Sequence, residues 1–217
     1  MTLAVLHHDE TLIAVDKPGG MLVHRSREAP DRVVVLQTLR DQIGAHLYPV
    51  HRLDRAASGV LVFALSPGAA TGLHAAMKAP AAEKVYLTFV RGEIEEDGVT
   101  DRPLSDDRKI SREAVTRWTR VDTIRGFSLV RVRIETGRNH QIRRHLAHLA
   151  HQIVGDTTHG KGGINRWLRE EYGLPRLFLH AERLAFEHPA SGARLAIEAP
   201  LAGDLAAFLD RFRKGEG

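Results

Sequence analysis

Short apolar runs alternate with turn residues along most of the chain. Leu3 to Leu6 and Leu12 to Asp16 predict two short strands, with His7-His8-Asp9-Glu10 as a polar turn between them. Lys17-Pro18-Gly19-Gly20 breaks the second strand, because Pro18 fixes φ and the glycines allow positive φ or close backbone approach. Met21-Leu22-Val23 reads as a resumed strand, and Arg25 to Pro30 as a loop. Val33, Val35, Leu36, Leu39 and Ile43 fall near helical spacing and stop at Gly44, a helix-ending residue. Tyr48-Pro49-Val50 leads into a polar turn. Gly59 to Leu65 is a continuous apolar run that predicts a buried strand. Ser66-Pro67 opens a helix running to about Lys78, with proline at its first position.

The second half repeats these signals. Val85 to Val90 predicts a strand that Gly92 ends, and the polar, turn-rich stretch from Glu93 to Arg112 a short strand or hairpin. Ala114 to Val121 and Phe127 to Glu135 alternate. In the latter, Leu129, Arg131, Arg133 and Glu135 face one way and Val130, Val132 and Ile134 the other. Thr136 to Asn139 is a turn, and His140 to Ala150 a helix with Ile142, Leu146 and Leu149 on one side. Val154 to Gly163 is a long glycine-rich loop without the Walker spacing, so nucleotide cradling does not follow. Leu177 to Phe186 and Ala193 to Glu198 predict strands around a turn at His188 to Gly192, and Ala199-Pro200-Leu201 opens a closing helix to about Phe212. No internal repeat or low-complexity tract is present. The pattern predicts an α+β fold: a mixed, largely antiparallel central sheet with peripheral helices and loops, organised as a single domain over residues 1–217.

Composition narrows the chemistry. Hydrophobic residues make up 43% of the 217, enough for a substantial core. With no cysteine, disulfides, thiolate nucleophiles and cysteine-ligated zinc are excluded. No stretch reads as a signal peptide or a membrane span, which predicts a soluble, cytoplasmic protein with no membrane partner. Net charge is only +4, but between Arg108 and His148 there are eleven Lys/Arg against three Asp/Glu. Such a surplus suits a polyanion such as nucleic acid, although a solvated basic face would look the same.

The central candidate is His51-Arg52-Leu53-Asp54-Arg55-Ala56-Ala57-Ser58-Gly59, an aspartate between two arginines in a turn. Fixed positive charge on both sides should keep a carboxylate ionised, the state needed of a nucleophile or an electrostatic stabiliser. A salt-bridged or turn-capping aspartate is the plainer reading. Three further stretches carry chemistry. Lys84-Val85-Tyr86 places Lys84 and Tyr86 on one strand face. Thr136-Gly137-Arg138-Asn139-His140-Gln141-Ile142-Arg143-Arg144 carries donors into the start of a helix, where Arg138, Arg143 and Arg144 can bind phosphate or carboxylate. Leu179-His180-Ala181 puts a histidine in an apolar strand, more often a hydrogen-bonded core residue than a catalyst. Histidines 145, 148 and 151 could share a helix face, but no carboxylate supports them and arginines interleave, so no metal site is expected.

Taken together, in this order and spacing, these stretches resemble the RluA family of RNA pseudouridine synthases. Lys17-Pro18-Gly19-Gly20-Met21-Leu22-Val23-His24 resembles that family's N-terminal lysine-proline-glycine stretch, and Gly155-Asp156 is a further match. The likeness covers nearly the whole chain and is nearest to the branch acting on tRNA, which implies uridine 65 of tRNA as target. A different tRNA position or ribosomal RNA is the alternative. The resemblance implies Asp54 as the catalytic group and Arg52 as a residue holding the flipped uridine out of the stack. It further implies Tyr86 packed on the target base and Arg143 paired with Asp54. Lys17, Lys84, Arg138, His140 and Arg144 are expected to contact RNA. No cofactor is expected, nor an appended RNA-binding domain, and the expected state is a monomer. Ala56 and Ala57 depart from the family pattern, which usually has a proline-like residue and a threonine there. Two other classes fit less well: a basic RNA-binding module without chemistry, and a hydrolytic glycosylase, which would ordinarily need a second carboxylate near the motifs.

Overall fold

The computed structural model describes residues 1–24, 33–106 and 108–216. Two compact units emerge, one formed by residues 1–83 and 181–200, the other by residues 84–180 and 201–217. The fold class is α+β, with largely antiparallel strands and helices at the periphery, as the pattern predicts.

The first unit begins with β1 (Ala4–His8) and β2 (Leu12–Lys17), which pair antiparallel. Their turn is tied by Asp9, whose Oδ1 accepts from the backbone N–H of Thr11 and Leu12 at 2.7 and 2.9 Å. The predicted strand at Met21-Leu22-Val23 does not form. The carbonyls of Leu22 and Val23 instead accept from the N–H groups of Val35 and Leu36 (2.9 and 3.0 Å), capping the start of α1 (Val35–Ile43). The expected loop from Arg25 to Pro30 lies outside the described residues. Gly44, in the left-handed region at φ 68°, closes α1 by donating to Arg40 O at 2.9 Å.

β3 (Tyr48–Pro49) pairs with β4 (Ser58–Ala64), which also pairs with β2. All seven residues of β4 are buried, as its uninterrupted apolar run predicts. α2 (Pro67–Lys78) starts where expected: Ser66 Oγ accepts from Ala69 N–H at 3.1 Å and Pro67 occupies the first turn. Leu73 and Met77 point from α2 into a core shared with Leu12, Val60, Val62, Leu184, Phe186 and Ile197.

The second unit carries most of β5 (Glu83–Arg91), then β6 (Asp97–Thr100) and a small hairpin of β7 (Leu104–Ser105) and β8 (Ser111–Arg112). β9 (Thr116–Ile124) and β10 (Phe127–Ile134) follow, and the strand order is β5-β10-β9-β6 with antiparallel pairing throughout. α3 (Gln141–His148) buries Ile142 and Leu146, but Leu149 lies beyond its end and is exposed. α4 (Gly162–Tyr172) was not foreseen. β11 (Leu179–Glu187) crosses into the first unit, where its hairpin partner β12 (Arg194–Glu198) lies. α5 (Gly203–Lys214) returns to the second unit. There Phe208 and Phe212 join Phe89, Phe127, Phe178, Trp167 and Tyr172 in an aromatic core with ring centroids 4.9–6.4 Å apart. Among the described residues, no helix is long and apolar enough to cross a membrane.

Candidate active site

In the first unit, Asp54 opens a turn in which Ala57 N–H donates to Asp54 O at 3.1 Å. Asp54 is half-buried and Arg52 exposed, while Leu53 between them is buried and anchors the segment. The Lys17-Pro18-Gly19-Gly20 turn grips this one from the side. Gly20 N–H donates to Arg55 O at 2.8 Å, and Arg55 Nε returns a bond to Gly20 O at 3.0 Å. Lys17 corrects the expectation. It is 0% exposed, and its ammonium donates to the carbonyls of Pro18, Arg55 and Ala57 at 2.8, 3.1 and 2.7 Å. A side chain so enclosed cannot reach an RNA backbone. Its charge instead satisfies carbonyls that the two turns bring together, so Lys17 fixes the turn bearing Asp54.

Two more contacts stiffen the same region. Val62 N–H donates to His51 Nε2 at 3.0 Å, which puts the His51 proton on Nδ1 if the ring is neutral. Gly59, at φ 105°, lies so close to β11 that a Cβ there would meet Ala181 O at 2.2 Å. Glycine is therefore the residue that lets β4 leave the turn and join the sheet at once.

In the second unit, Lys84 and Tyr86 are half-buried on one face of β5, and Tyr86 lies opposite Val132 of β10. Burial lowers the Lys84 pKa, and its ammonium reaches Glu135 O at 3.4 Å. The outward face of β9 and β10 is basic: Arg117 stands opposite Arg133, Arg131 opposite Thr119, and all four are exposed. Part of the charge surplus of the sequence is displayed there, with Arg117 Nε paired to Glu135 Oε1 at 2.7 Å.

Arg143 is held most tightly. Its Nε and Nη2 donate to Asp156 Oδ2 and Oδ1 at 2.7 and 2.8 Å, a bidentate pair with side-chain exposures of 8% and 1%. Asp156 Oδ1 also accepts from the N–H groups of Thr158 and His159, both at 2.9 Å. Burial pushes the Asp156 carboxyl up, but the Arg143 bond, the two backbone donors and the Arg143 charge together outweigh it and hold the pKa below the usual value. Asn165 of α4 clamps the loop, donating to Asp156 O and accepting from Gly155 N–H, both at 2.8 Å.

Around the start of α3, Gln141 uses its whole amide. Its Oε1 accepts from Thr136 Oγ1 and Arg138 N–H (2.8 and 3.0 Å), and its Nε2 donates to Val115 O and Thr116 Oγ1 (2.9 and 3.0 Å). Arg138 is exposed, with Nε on Glu113 O at 2.8 Å, and Arg144 donates to Ser105 O at 3.0 Å. His140 takes the left-handed region at φ 51° and sits 3.3 Å from His159, ring nitrogen to ring nitrogen. His145 is structural: Nε2 donates to Arg102 O and Nδ1 contacts Thr116 Oγ1, both at 2.8 Å. Burial, with the Arg102, Arg144 and His148 charges, lowers its pKa and favours this neutral ring.

The reading of the sequence gave no role to Asp156, Asn165 or Gln141, although Gly155-Asp156 and Gln141 lie in stretches that carry the family resemblance.

Comparison with known proteins points one way. The model of the family described as RNA pseudouridylate synthase matches residues 11–148. The tRNA pseudouridine synthase C of Vibrio vulnificus is 41% identical, over 97% of this chain and 95% of its own. That of Vibrio cholerae is 44% identical over 92% and 91%. Among solved structures, human RNA pseudouridylate synthase domain containing 4 shares the fold, with a TM-score of 0.79 at 24% identity over 97% of this chain and 93% of that one.

Proposed function

The chain belongs to the RNA pseudouridylate synthase family, and from that premise we propose how its own residues isomerise uridine to pseudouridine in tRNA. The reaction breaks the bond between ribose C1′ and uracil N1, turns the base and rejoins C1′ to C5. The C5 proton is lost and N1 gains one, so mass is unchanged. Positive charge develops at C1′ as the first bond breaks, as in glycoside cleavage. Asp54 is the carboxylate that meets it, whether by stabilising the charge, bonding C1′ or accepting the C2′ proton. Each route needs the same anion. The observation that carries this reading is the local build of the turn: the Asp54 segment is gripped by Lys17 and Gly20, a rigidity that catalytic positioning requires.

Arg52, exposed next to Asp54, helps keep the flipped uridine out of the stack, and Tyr86 packs on its base. The pairing of Arg143 with Asp54 implied by the family resemblance is kept within this proposal, with Asp156 as the group that fixes the Arg143 guanidinium. Lys84, Arg138, His140 and Arg144, with the exposed arginines of β9 and β10, contact the RNA backbone mainly by charge. The protein works as a monomeric catalytic domain in the cytoplasm, without metal or cofactor. The target is uridine 65 of tRNA. Support comes from the names of the Vibrio relatives for the tRNA and from the motif resemblance for the position.

Asp54→Asn removes the anion at nearly constant shape. Pseudouridine formation on transcribed tRNA should fall below detection while tRNA binding persists, and retained turnover refutes the assignment. Mapping pseudouridine in tRNA and ribosomal RNA from cells with and without the gene tests the target. Loss at tRNA position 65 is expected, and loss only elsewhere overturns that position.

A further inference from the structure

The second unit contains a cavity of about 200 Å³, and of its lining residues Arg138 alone has been given a part in RNA contact above. It opens between the β7–β8 hairpin, which supplies Ser105, Asp106 and Arg112, and the turn before α3, which supplies Gly137, Arg138 and Asn139. Both arginines are oriented by a bond through Nε alone: Arg112 to Asp106 Oδ2 at 3.1 Å, Arg138 to Glu113 O at 2.8 Å. Those bonds leave out the two terminal nitrogens of each guanidinium. Among the described residues, the one acid in the wall is committed to the hairpin itself. Asp106 Oδ1 accepts from the N–H groups of Arg108 and Ile110 at 3.0 and 2.9 Å, and its other oxygen takes Arg112. The Ile110 bond, with those from Arg112 and Arg108, holds its pKa down, so it stays a structural anion. Beside the cavity, Arg144 donates to Ser105 O and adds a third positive charge. At Gly137 a Cβ would meet nothing within 4 Å, so the turn backbone is open to a ligand.

We propose that this cavity is a phosphate subsite, in which Arg112 and Arg138 together hold one phosphodiester of the bound tRNA and Asn139 adds a polar contact. The proposal rests on the reading that tRNA is the substrate, and it assigns Arg112 and Asn139 a part that the sequence motifs do not. Two arginines lining a small open cavity fit a tetrahedral anion better than a base, because the described residues of its wall include no aromatic platform.

Counterion release supplies the test. Each phosphate contact contributes roughly 0.7–0.9 to the slope of log affinity against log salt. Binding of transcribed tRNA is measured from 50 to 200 mM KCl for the wild type, Arg112→Gln, Arg138→Gln and Arg112→Lys. Each glutamine variant should lose about that much slope, so that its affinity falls roughly threefold less than the wild type's across the range. Arg112→Lys, which keeps the charge, should keep the slope. In a second arm, inorganic phosphate replaces chloride at constant ionic strength. It should weaken tRNA binding by the wild type more than by Arg112→Gln, which identifies the phosphate group as the ligand. Weaker binding with an unchanged slope in both glutamine variants would mean that the arginines only brace the hairpin, and overturns the proposal. A wild type that binds tRNA but forms no pseudouridine sinks the catalytic reading alone, because slopes are read from binding and not from turnover.

Discussion

Removing the Asp156 carboxylate should be the most damaging single change to the proposed site outside Asp54. The magnitude follows from the burial of its partner. An exposed ion pair contributes about 0–1 kcal/mol, but breaking a buried one by deleting one partner costs about 3–5 kcal/mol, because the other charge is left unpaired. With side-chain exposures of 8% and 1%, Arg143 and Asp156 belong to the buried class. Asp156→Ala also strands the N–H groups of Thr158 and His159. The expected loss of about 3–5 kcal/mol corresponds, for a chain of this size, to a fall of roughly 6–20 °C in melting temperature. Asp156→Asn can still accept those backbone bonds and should cost less, about 1.5–3 kcal/mol. The double variant Arg143→Met with Asp156→Ala should be less destabilised than the sum of its parts, since no buried charge is orphaned. Urea unfolding followed by circular dichroism reads all three. The pH dependence has a definite sign. A carboxyl whose folded pKa is depressed contributes fully above its unfolded value of about 4 and loses that contribution as pH falls through the folded value. The stability gap between wild type and Asp156→Asn should therefore close in acid. An Asp156→Ala cost below about 1 kcal/mol, the range of exposed pairs, would refute the reasoning, as would a gap that does not vary with pH.

Substitutions at two further positions probe the remaining elements. If Tyr86 acts by stacking, Tyr86→Phe should keep much of the turnover and Tyr86→Leu should lose it, as measured by pseudouridine formation at saturating tRNA; equal loss in both would point to the hydroxyl. Lys17→Met strips the ammonium from the carbonyls of Pro18, Arg55 and Ala57, of which Arg55 O keeps its bond from Gly20 N–H, and should destabilise by about 1–3 kcal/mol in thermal melts while lowering turnover through the loosened Asp54 turn. Unchanged stability would show that the carbonyls find other partners.

The parts of the fold legible in the sequence are those that local chemistry decides. β4 is apolar at nearly every position because both its faces are covered, and α2 begins at a serine cap followed by proline because those residues satisfy or forgo the first helical N–H groups. Met21-Leu22-Val23 misleads for a reason that is not local: its carbonyls are recruited by α1, a helix that starts well downstream. α4 hides for a related reason. It opens on two glycines with no side-chain cap, and its buried face runs Asn165, Leu168, Tyr172, with a polar residue where the period calls for an apolar one. Asn165 is there because the Gly155-Asp156 peptide needs both a donor and an acceptor from it.

Lys17 and Asp156 show the same limit at the candidate site. Binary patterning assigns charged residues to the surface, since an unpaired charge inside is prohibitively costly. That inference fails wherever a distant segment supplies the compensating groups. Lys17 is enclosed only because a turn 38 to 40 residues later presents its carbonyls to it. Asp156 is enclosed because Arg143, on a preceding helix, presents a two-pronged donor. In each unit, then, one hidden charge immobilises one element of the proposed chemistry: an ammonium fixes the turn of Asp54, a carboxylate fixes Arg143. Substitutions that keep size but discard charge at these two positions should therefore impair the reaction without touching any group that meets the substrate. Catalytic motifs identify the reacting residues, but the residues that hold them still become visible only when the chain is folded.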